Sequence, residues 1–185
     1  MKKRVSRKRR GSGNGDGGDA RQRAREHLNE GARLLRERQP DEAIEHLERS
    51  RQLDPASIEA AINLGGAYVM QGRQAEAVAV LEEASRMDPD NVMVWINLAA
   101  AYLGPLEVSE EEGQDKAIAA FERALSLDPE APSVNYNLGL IYKQRGETER
   151  AAAHFWRALE VDPSDNDARI RLGQLGDADS EPDAK

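Results

Sequence analysis

The residues able to do chemistry are few. The chain has three histidines, His27, His46 and His154, and no cysteine among its 185 residues. Disulfides and thiolate metal sites are therefore excluded. The histidines are scattered along the chain, and none falls in a spacing such as His-Glu-x-x-His that sets two imidazoles on one helix face. Each reads as a surface or packing residue, so no metal or cofactor is expected. Acidic neighbours such as Glu82-Glu83 read as solvated faces rather than acid–base pairs. No glycine-rich turn follows a strand pattern, so no phosphate loop is present. Nothing here points to an enzyme. The polar residue with a pattern is asparagine. It recurs in INLGGAY (62–68), INLAAAY (96–102) and YNLGLIY (136–142), and in a blurred fourth copy, LNEGARLL (28–35). Each copy lies in a segment of helical apolar period, where the Asn amide competes for backbone hydrogen bonds. Its recurrence at one place calls for a role in packing or in binding.

The elements that position these asparagines repeat. Asp-Pro closes four segments, at Pro55, Pro89, Pro129 and Pro163, with spacings of 34, 40 and 34 residues. Five residues before each Pro stands a small residue, Ser50, Ala84, Ala124 or Ala158. Three further back is a bulky one, Leu47, Leu81, Phe121 or Phe155, and four before that an alanine, Ala43, Ala77, Ala117 or Ala151. Each unit divides into two helices. Gly72 and Gly146 mark the end of first helices, and the Asp-Pro ends the second, because Pro cannot continue a helix. Pro40 and Pro132 stand near helix starts, where a missing N–H costs little. Period-two strand runs are absent. The pattern predicts nine helices and no strand, at about 20–38, 40–53, 58–71, 74–87, 91–103, 114–127, 132–145, 148–161 and 166–175.

Charge is unevenly distributed. The net charge is −8, but the first ten residues, MKKRVSRKRR, carry +7, leaving −15 on the remainder. Lys2, Lys3, Arg4, Arg7, Lys8, Arg9 and Arg10 form a candidate polyanion-binding tail, able to touch nucleic-acid phosphates or anionic lipid head groups but carrying no aromatic for reading bases. Folding back onto the acidic repeats is another use for it. The following GSGNGDGG reads as a flexible linker, so residues 1–19 are expected to be disordered, as is the acidic 177–185. No apolar stretch reaches the roughly 18 residues of a membrane span, and no apolar segment follows the basic start as in a signal peptide. These features describe a soluble cytoplasmic protein. Arginine outnumbers lysine twenty to six, a composition that fits a GC-rich bacterial genome.

The period of 34 and the alternation of small and large positions resemble the tetratricopeptide repeat, over about residues 22–176. The resemblance implies an all-α, right-handed superhelical solenoid acting as a protein-interaction scaffold. Its repeats fall at about 24–57, 58–91, 92–131 and 132–165, with a capping helix at 166–176. The sequence departs from the family at the aromatic position four residues into the first helix, occupied by His27, Ala61, Trp95 and Asn135, of which only Trp95 fits. The third repeat carries six extra residues, in GPLEVSEEEGQ (104–114). Ser109 with Glu112 three residues on resembles a capping box there. The same insertion reads either as a tolerated surface loop or as a flap at a groove edge, contacting through Leu106 and Val108.

Numbering each first helix so that Asn is sixth, positions 4, 7, 8 and 11 share one side at 100° per residue. In the third repeat these are Trp95, Leu98, Ala99 and Tyr102. Asn29, Asn63, Asn97 and Asn137 fall opposite, and by the resemblance would line the concave face. Beside them stand Leu28, Ile62, Ile96 and Tyr136, with Met70 and Leu103 continuing the apolar floor. An amide rail beside an apolar floor suits a peptide segment or helix of a partner, held partly through its main chain. A chaperone C-terminal tail is not expected as a guest. The matching clamp positions, Leu28, Ala32, Asn63, Met93 and Asn97, offer no cation to its carboxylates.

Overall fold

The computed structural model describes residues 15–131 and 133–178. Among them are nine α-helices and no strand: α1 (Gly15–Arg36), α2 (Pro40–Leu53), α3 (Ile58–Met70), α4 (Gln74–Met87), α5 (Val92–Leu103), α6 (Glu111–Leu127), α7 (Val134–Gln144), α8 (Thr148–Val161) and α9 (Asn166–Ala178). A short 3-10 turn at Leu106–Val108 precedes α6. The helices pair as hairpins, α1 with α2, α3 with α4, α5 with α6 and α7 with α8. Each hairpin stacks on the next, and α9 packs on α8.

The small positions let the two helices of a hairpin close. A Cβ placed on Gly31 would lie 2.5 Å from Leu47 Cγ, and one on Gly65 2.5 Å from Leu81 Cγ. On Gly139 it would meet the Phe155 ring at 2.7 Å. Leu47, Leu81 and Phe155 are fully buried, as are Ala43, Ala77, Ala117 and Ala151. A larger residue at these crossings would overpack, at roughly 1–3 kcal/mol. The glycines are therefore fixed by packing, although glycine within a helix is otherwise unfavourable by ~1 kcal/mol.

The turns follow the expected chemistry. Gly72 and Gly146 adopt φ of +70° and +73° just beyond α3 and α7. The bonds Arg73 N–H to Tyr68 O and Gly72 N–H to Val69 O, at 2.9 and 3.0 Å, complete a Schellman closure. In the first repeat Arg38 takes the same left-handed position at φ +59°. Pro40 opens α2.

Several expectations are corrected. α1 begins at Gly15, within the stretch read as linker, and α9 extends to Ala178, two residues into the stretch read as acidic tail. α6 begins at Glu111, with Glu110 as N-cap and no side-chain cap, so Ser109 and Glu112 form no capping box. Ser109 lies one position too early, and its hydroxyl has no partner. Instead the Gln114 amide donates to Ser109 O at 3.1 Å, tying the insertion to its own helix. Pro132 and the seven basic residues of the tail lie outside the described residues, as do residues 179–185.

Tyrosines tie successive repeats. The Tyr68 hydroxyl donates to Glu48 at 2.6 Å and the Tyr102 hydroxyl to Glu82 at 2.8 Å, both across a 20-residue interval. Burial, and then the bond to a carboxylate, push both phenols up to about 12 from their ordinary 10.0. The sign follows directly. The unfolded chain ionises first, so these tyrosines support folding fully below pH 10, and that support is lost as pH rises through about 12. Spectrophotometric titration is expected to show Tyr68 and Tyr102 ionising above the ordinary tyrosine range. Tyr68→Phe and Tyr102→Phe should each remove one late-titrating phenol. Ionisation of all the tyrosines together near pH 10 would refute the ties.

Candidate peptide-binding groove

The first helices α3 and α5, with the end of α1, enclose a concavity of about 390 Å³. It is lined by Leu35, Ile62, Gly66, Val69, Met70, Met93 and Ala100, with Asn63 and Asn97 among them. No titratable side chain lines it. Met70 is 51% exposed and Met93 46%, large apolar surfaces left in water. Gly66 and Ala100 keep the floor low. An added Cβ on Gly66 would lie 3.6 Å from Asn97 Oδ1, so the amide tip rests just above that floor.

A second concavity, of about 580 Å³, lies further along. Leu140, Lys143 and Gln144 line it and are the fourth-repeat counterparts of Gly66, Val69 and Met70, so it belongs to the same face of the stack. Leu106 from the insertion, Glu107 and Arg171 complete it. Lys143 Nζ donates to Gln174 Oε1 at 2.8 Å, and Arg171 approaches the same oxygen at 3.5 Å. Neither cation is in salt-bridge range of a carboxylate among the described residues, although other surface arginines are paired, such as Arg145 with Asp115 at 2.6 Å.

The expected groove residues therefore divide. Ile62, Asn63, Met70 and Asn97 come together in one concavity. Leu28, expected on the floor, is 7% exposed and belongs to the core cluster of the N-terminal half, on the side of α1 that packs against α2 and α3. Ile96, Leu103 and Tyr136 pack against the core of the C-terminal half. Tyr136 opens onto a separate cleft with Glu130, Asp162 and Asp165. Asn29 is exposed, and neither it nor Asn137 lines the two concavities. Within the insertion, Leu106 reaches the concave face, whereas Val108 lines a different cleft beside Tyr102 and Lys116.

The asparagine amides have a partner that the sequence did not suggest. Asn97 Nδ2 donates to Met93 O at 2.8 Å and Asn137 Nδ2 to Ser133 O at 2.9 Å, each one turn back on its own helix. One N–H of each of these two amides is thus used locally, and Asn97 Oδ1 faces Gly66 on the neighbouring first helix.

Histidine placement also differs from expectation. His27 and His46 meet across the first hairpin, Nδ1 to Nδ1 at 3.1 Å. His154 Nδ1 lies 3.0 Å from Asn135 Oδ1 in the fourth repeat, and burial pushes its imidazole below the ordinary range. Both pairs are 19 residues apart. They are one position pair, the fourth of the first helix and its facing residue on the second. The spacing carries a signal only once the hairpin register is known. Among the described residues no group of three His, Cys, Asp or Glu is placed to hold a metal.

Two tetratricopeptide repeat profiles match the chain, over residues 34–91 and 108–172, together about two-thirds of its length. The chain belongs to the tetratricopeptide repeat family. Its fold is shared with solved structures of that kind. MamA residues 41 to the end, from Desulfovibrio magneticus RS-1, superposes with a TM-score of 0.71 at 22% identity, covering 85% of each chain. A thermophilic tetratricopeptide repeat protein from Thermus thermophilus gives 0.72 at 20% identity, covering 85% of this chain and 83% of that one. One from Parabacteroides merdae ATCC 43184 gives 0.66 at 24%, covering 85% and 62%. No curated protein sequence matches significantly. These likenesses show an all-α tetratricopeptide solenoid. Among the described residues no helix is long and apolar enough to cross a membrane.

Proposed function

We propose that this tetratricopeptide array is an adaptor that holds a peptide segment or helix of a partner protein along its concave face. The observation that supports this best is the uncharged concavity between α3 and α5, where Met70 and Met93 stand exposed beside Asn63 and Asn97. Exposed apolar surface collected in a concavity marks a binding site. Methionine suits such a site because its flexible thioether adapts to irregular guests. The Asn Oδ1 atoms accept main-chain N–H groups of the guest. Towards α9 the groove changes character, with Leu106 and Leu140 beside Lys143 and Arg171. The guest that fits carries apolar side chains for the first concavity and an acidic residue flanked by an apolar one for the second. A carboxylate clamp at the N-terminal end is disfavoured, since Leu28 is buried and Met93 is apolar.

The test is capture from the source cell by three proteins: the intact chain, the Met70→Glu/Met93→Glu variant, and a chain lacking residues 1–14, which leaves α1 whole. A groove partner is expected to be retained by the deletion and lost by the double variant. Partners lost by the deletion alone, and released steeply by salt, would instead assign binding to the basic tail.

A further inference from the structure

We propose that His27 and His46 form a chelating site for one divalent transition-metal ion of the zinc, nickel or copper class, bridging α1 and α2 of the first repeat. This site lies outside the groove and does not depend on the groove reading. The geometry is that of two ligands to one metal. Two imidazole nitrogens bound at about 2.0–2.1 Å stand roughly 2.9 Å apart at a right angle and about 3.3–3.4 Å apart at the tetrahedral angle. The observed Nδ1 to Nδ1 separation of 3.1 Å falls between these values. The ring planes are inclined at 49° with centroids 5.2 Å apart, so they are not stacked face to face. Without a metal, this contact is a hydrogen bond only when one of the two nitrogens carries a proton, and loss of that proton turns two lone pairs towards each other. A bound cation satisfies both lone pairs at once.

The hairpin holds the pair in place from both sides. One turn before His27, Ala24 O accepts from the buried Ser50 hydroxyl at 2.8 Å. One turn after it, Gly31 is pressed against Leu47 so closely that a Cβ would sit at 2.5 Å. Neither helix can slide without breaking one of these contacts, so the site is largely preorganised. Both rings are half-buried, which leaves a path for the ion and for water. Glu30, one turn along α1, is held by Arg33 at 2.6 Å, so the remaining coordination positions fall to water. The same position pair is Asn135 with His154 in the fourth repeat, and Ala61 with Val80 in the second. Only the first repeat places two imidazoles there. Neutral imidazoles favour zinc, nickel and copper over magnesium or calcium, which require oxygen ligands. The bound ion would staple the first hairpin, which among the described residues has a neighbouring hairpin on one side only.

The test is calorimetric titration of tag-free protein with NiCl2 and with ZnCl2, alongside MgCl2. One ion per chain is expected for nickel and zinc, with no heat for magnesium. Affinity should fall as pH is lowered, because an imidazole must be neutral to bind the ion. His27→Gln and His46→Gln should each weaken binding by more than about tenfold, and His154→Gln should leave it unchanged. At nickel about a hundredfold above the wild-type Kd, the melting temperature should rise by several degrees in the wild type and in His154→Gln, and by less in His27→Gln and His46→Gln. Should a histidine variant fold poorly, the wild type still decides. Substoichiometric Cu(II) should broaden the ring-proton resonances of His27 and His46 and spare those of His154. Equal broadening of all three, or nickel binding unchanged in both His27→Gln and His46→Gln, would mean an adventitious ion only and would overturn the site.

Discussion

Phe155→Ala is expected to destabilise the folded chain by about 3–5 kcal/mol. Phe155 is fully buried and closes the fourth hairpin against Gly139, with Tyr136 at a ring separation of 5.8 Å. Gly139→Ala should also destabilise, because a Cβ at that position lies 2.7 to 2.9 Å from three ring carbons of a side chain with no room to retreat. The overlap, roughly 1–3 kcal/mol, outweighs the ~1 kcal/mol that alanine contributes as a better helix former. In the Phe155→Ala background the ring is gone, so Gly139→Ala should then be neutral or stabilising. The two changes are therefore strongly non-additive, as contacting residues are. Gly173→Ala is the control. Its Cβ would meet nothing within 4 Å, so only the helix-propensity gain of ~1 kcal/mol remains. Urea denaturation of the single and double variants measures the coupling. Additive losses would mean that the glycine is not there for the ring. Because each repeat contacts only its neighbours, these losses should first appear as early melting of the C-terminal hairpin, with the α3–α5 concavity intact.

Asn63→Ala combined with Asn97→Ala is expected to weaken binding of the groove partner by about 5- to 150-fold, or roughly 1–3 kcal/mol, while leaving folding intact. The structure explains why stability should survive. The Asn97 amide donates to Met93 O within its own helix, not to a neighbouring repeat. Losing that bond does not orphan Met93 O, which keeps its place in the helical ladder at the start of α5. Alanine is the better helix former, so helicity should hold or rise. Melting temperature and the partner's Kd are measured on the same protein. A lower melting temperature with unchanged affinity would show that the amides serve packing, and the rail would have no role in recognition.

The repeat register was legible from sequence because its signal is physical redundancy. The small and large positions could be read as packing positions before any coordinates. That Gly31, Gly65 and Gly139 sit against Leu47, Leu81 and Phe155, rather than only opposite the alanines Ala43, Ala77 and Ala151, could not. Helix ends were legible where Gly72, Gly146 and the Asp-Pro steps impose them. The start of α1 was not, because GDGG reads as linker by propensity, and neither was the cap of α6. In the groove, helical phase puts Ile62, Asn63, Met70 and Asn97 on one face, and the four line one concavity. Phase alone could not say which position-5 residues would be covered by the next repeat, so Leu28 was assigned to the floor and is in the core. The internal bond of Asn97 and the meeting of His27 with His46 were missed for different reasons. The first depends on a rotamer. The second depends on a 19-residue pairing that no motif along a single helix contains.

Gly173 carries one more implication. It occupies in α9 the position that Gly31, Gly65 and Gly139 occupy in the first helices of the other units, yet among the described residues nothing stands across from it. Among the described residues α9 thus has no second helix paired with it, and its small position stays open to a bulky side chain. Such an array can be lengthened rather than only truncated. A 14-residue helix of the kind seen in α2, α4 and α8, joined after a short turn, would find a complementary surface without any redesign of the existing seam. The span of the stack is in this respect a countable quantity, adjustable one unit at a time from the open side of α9.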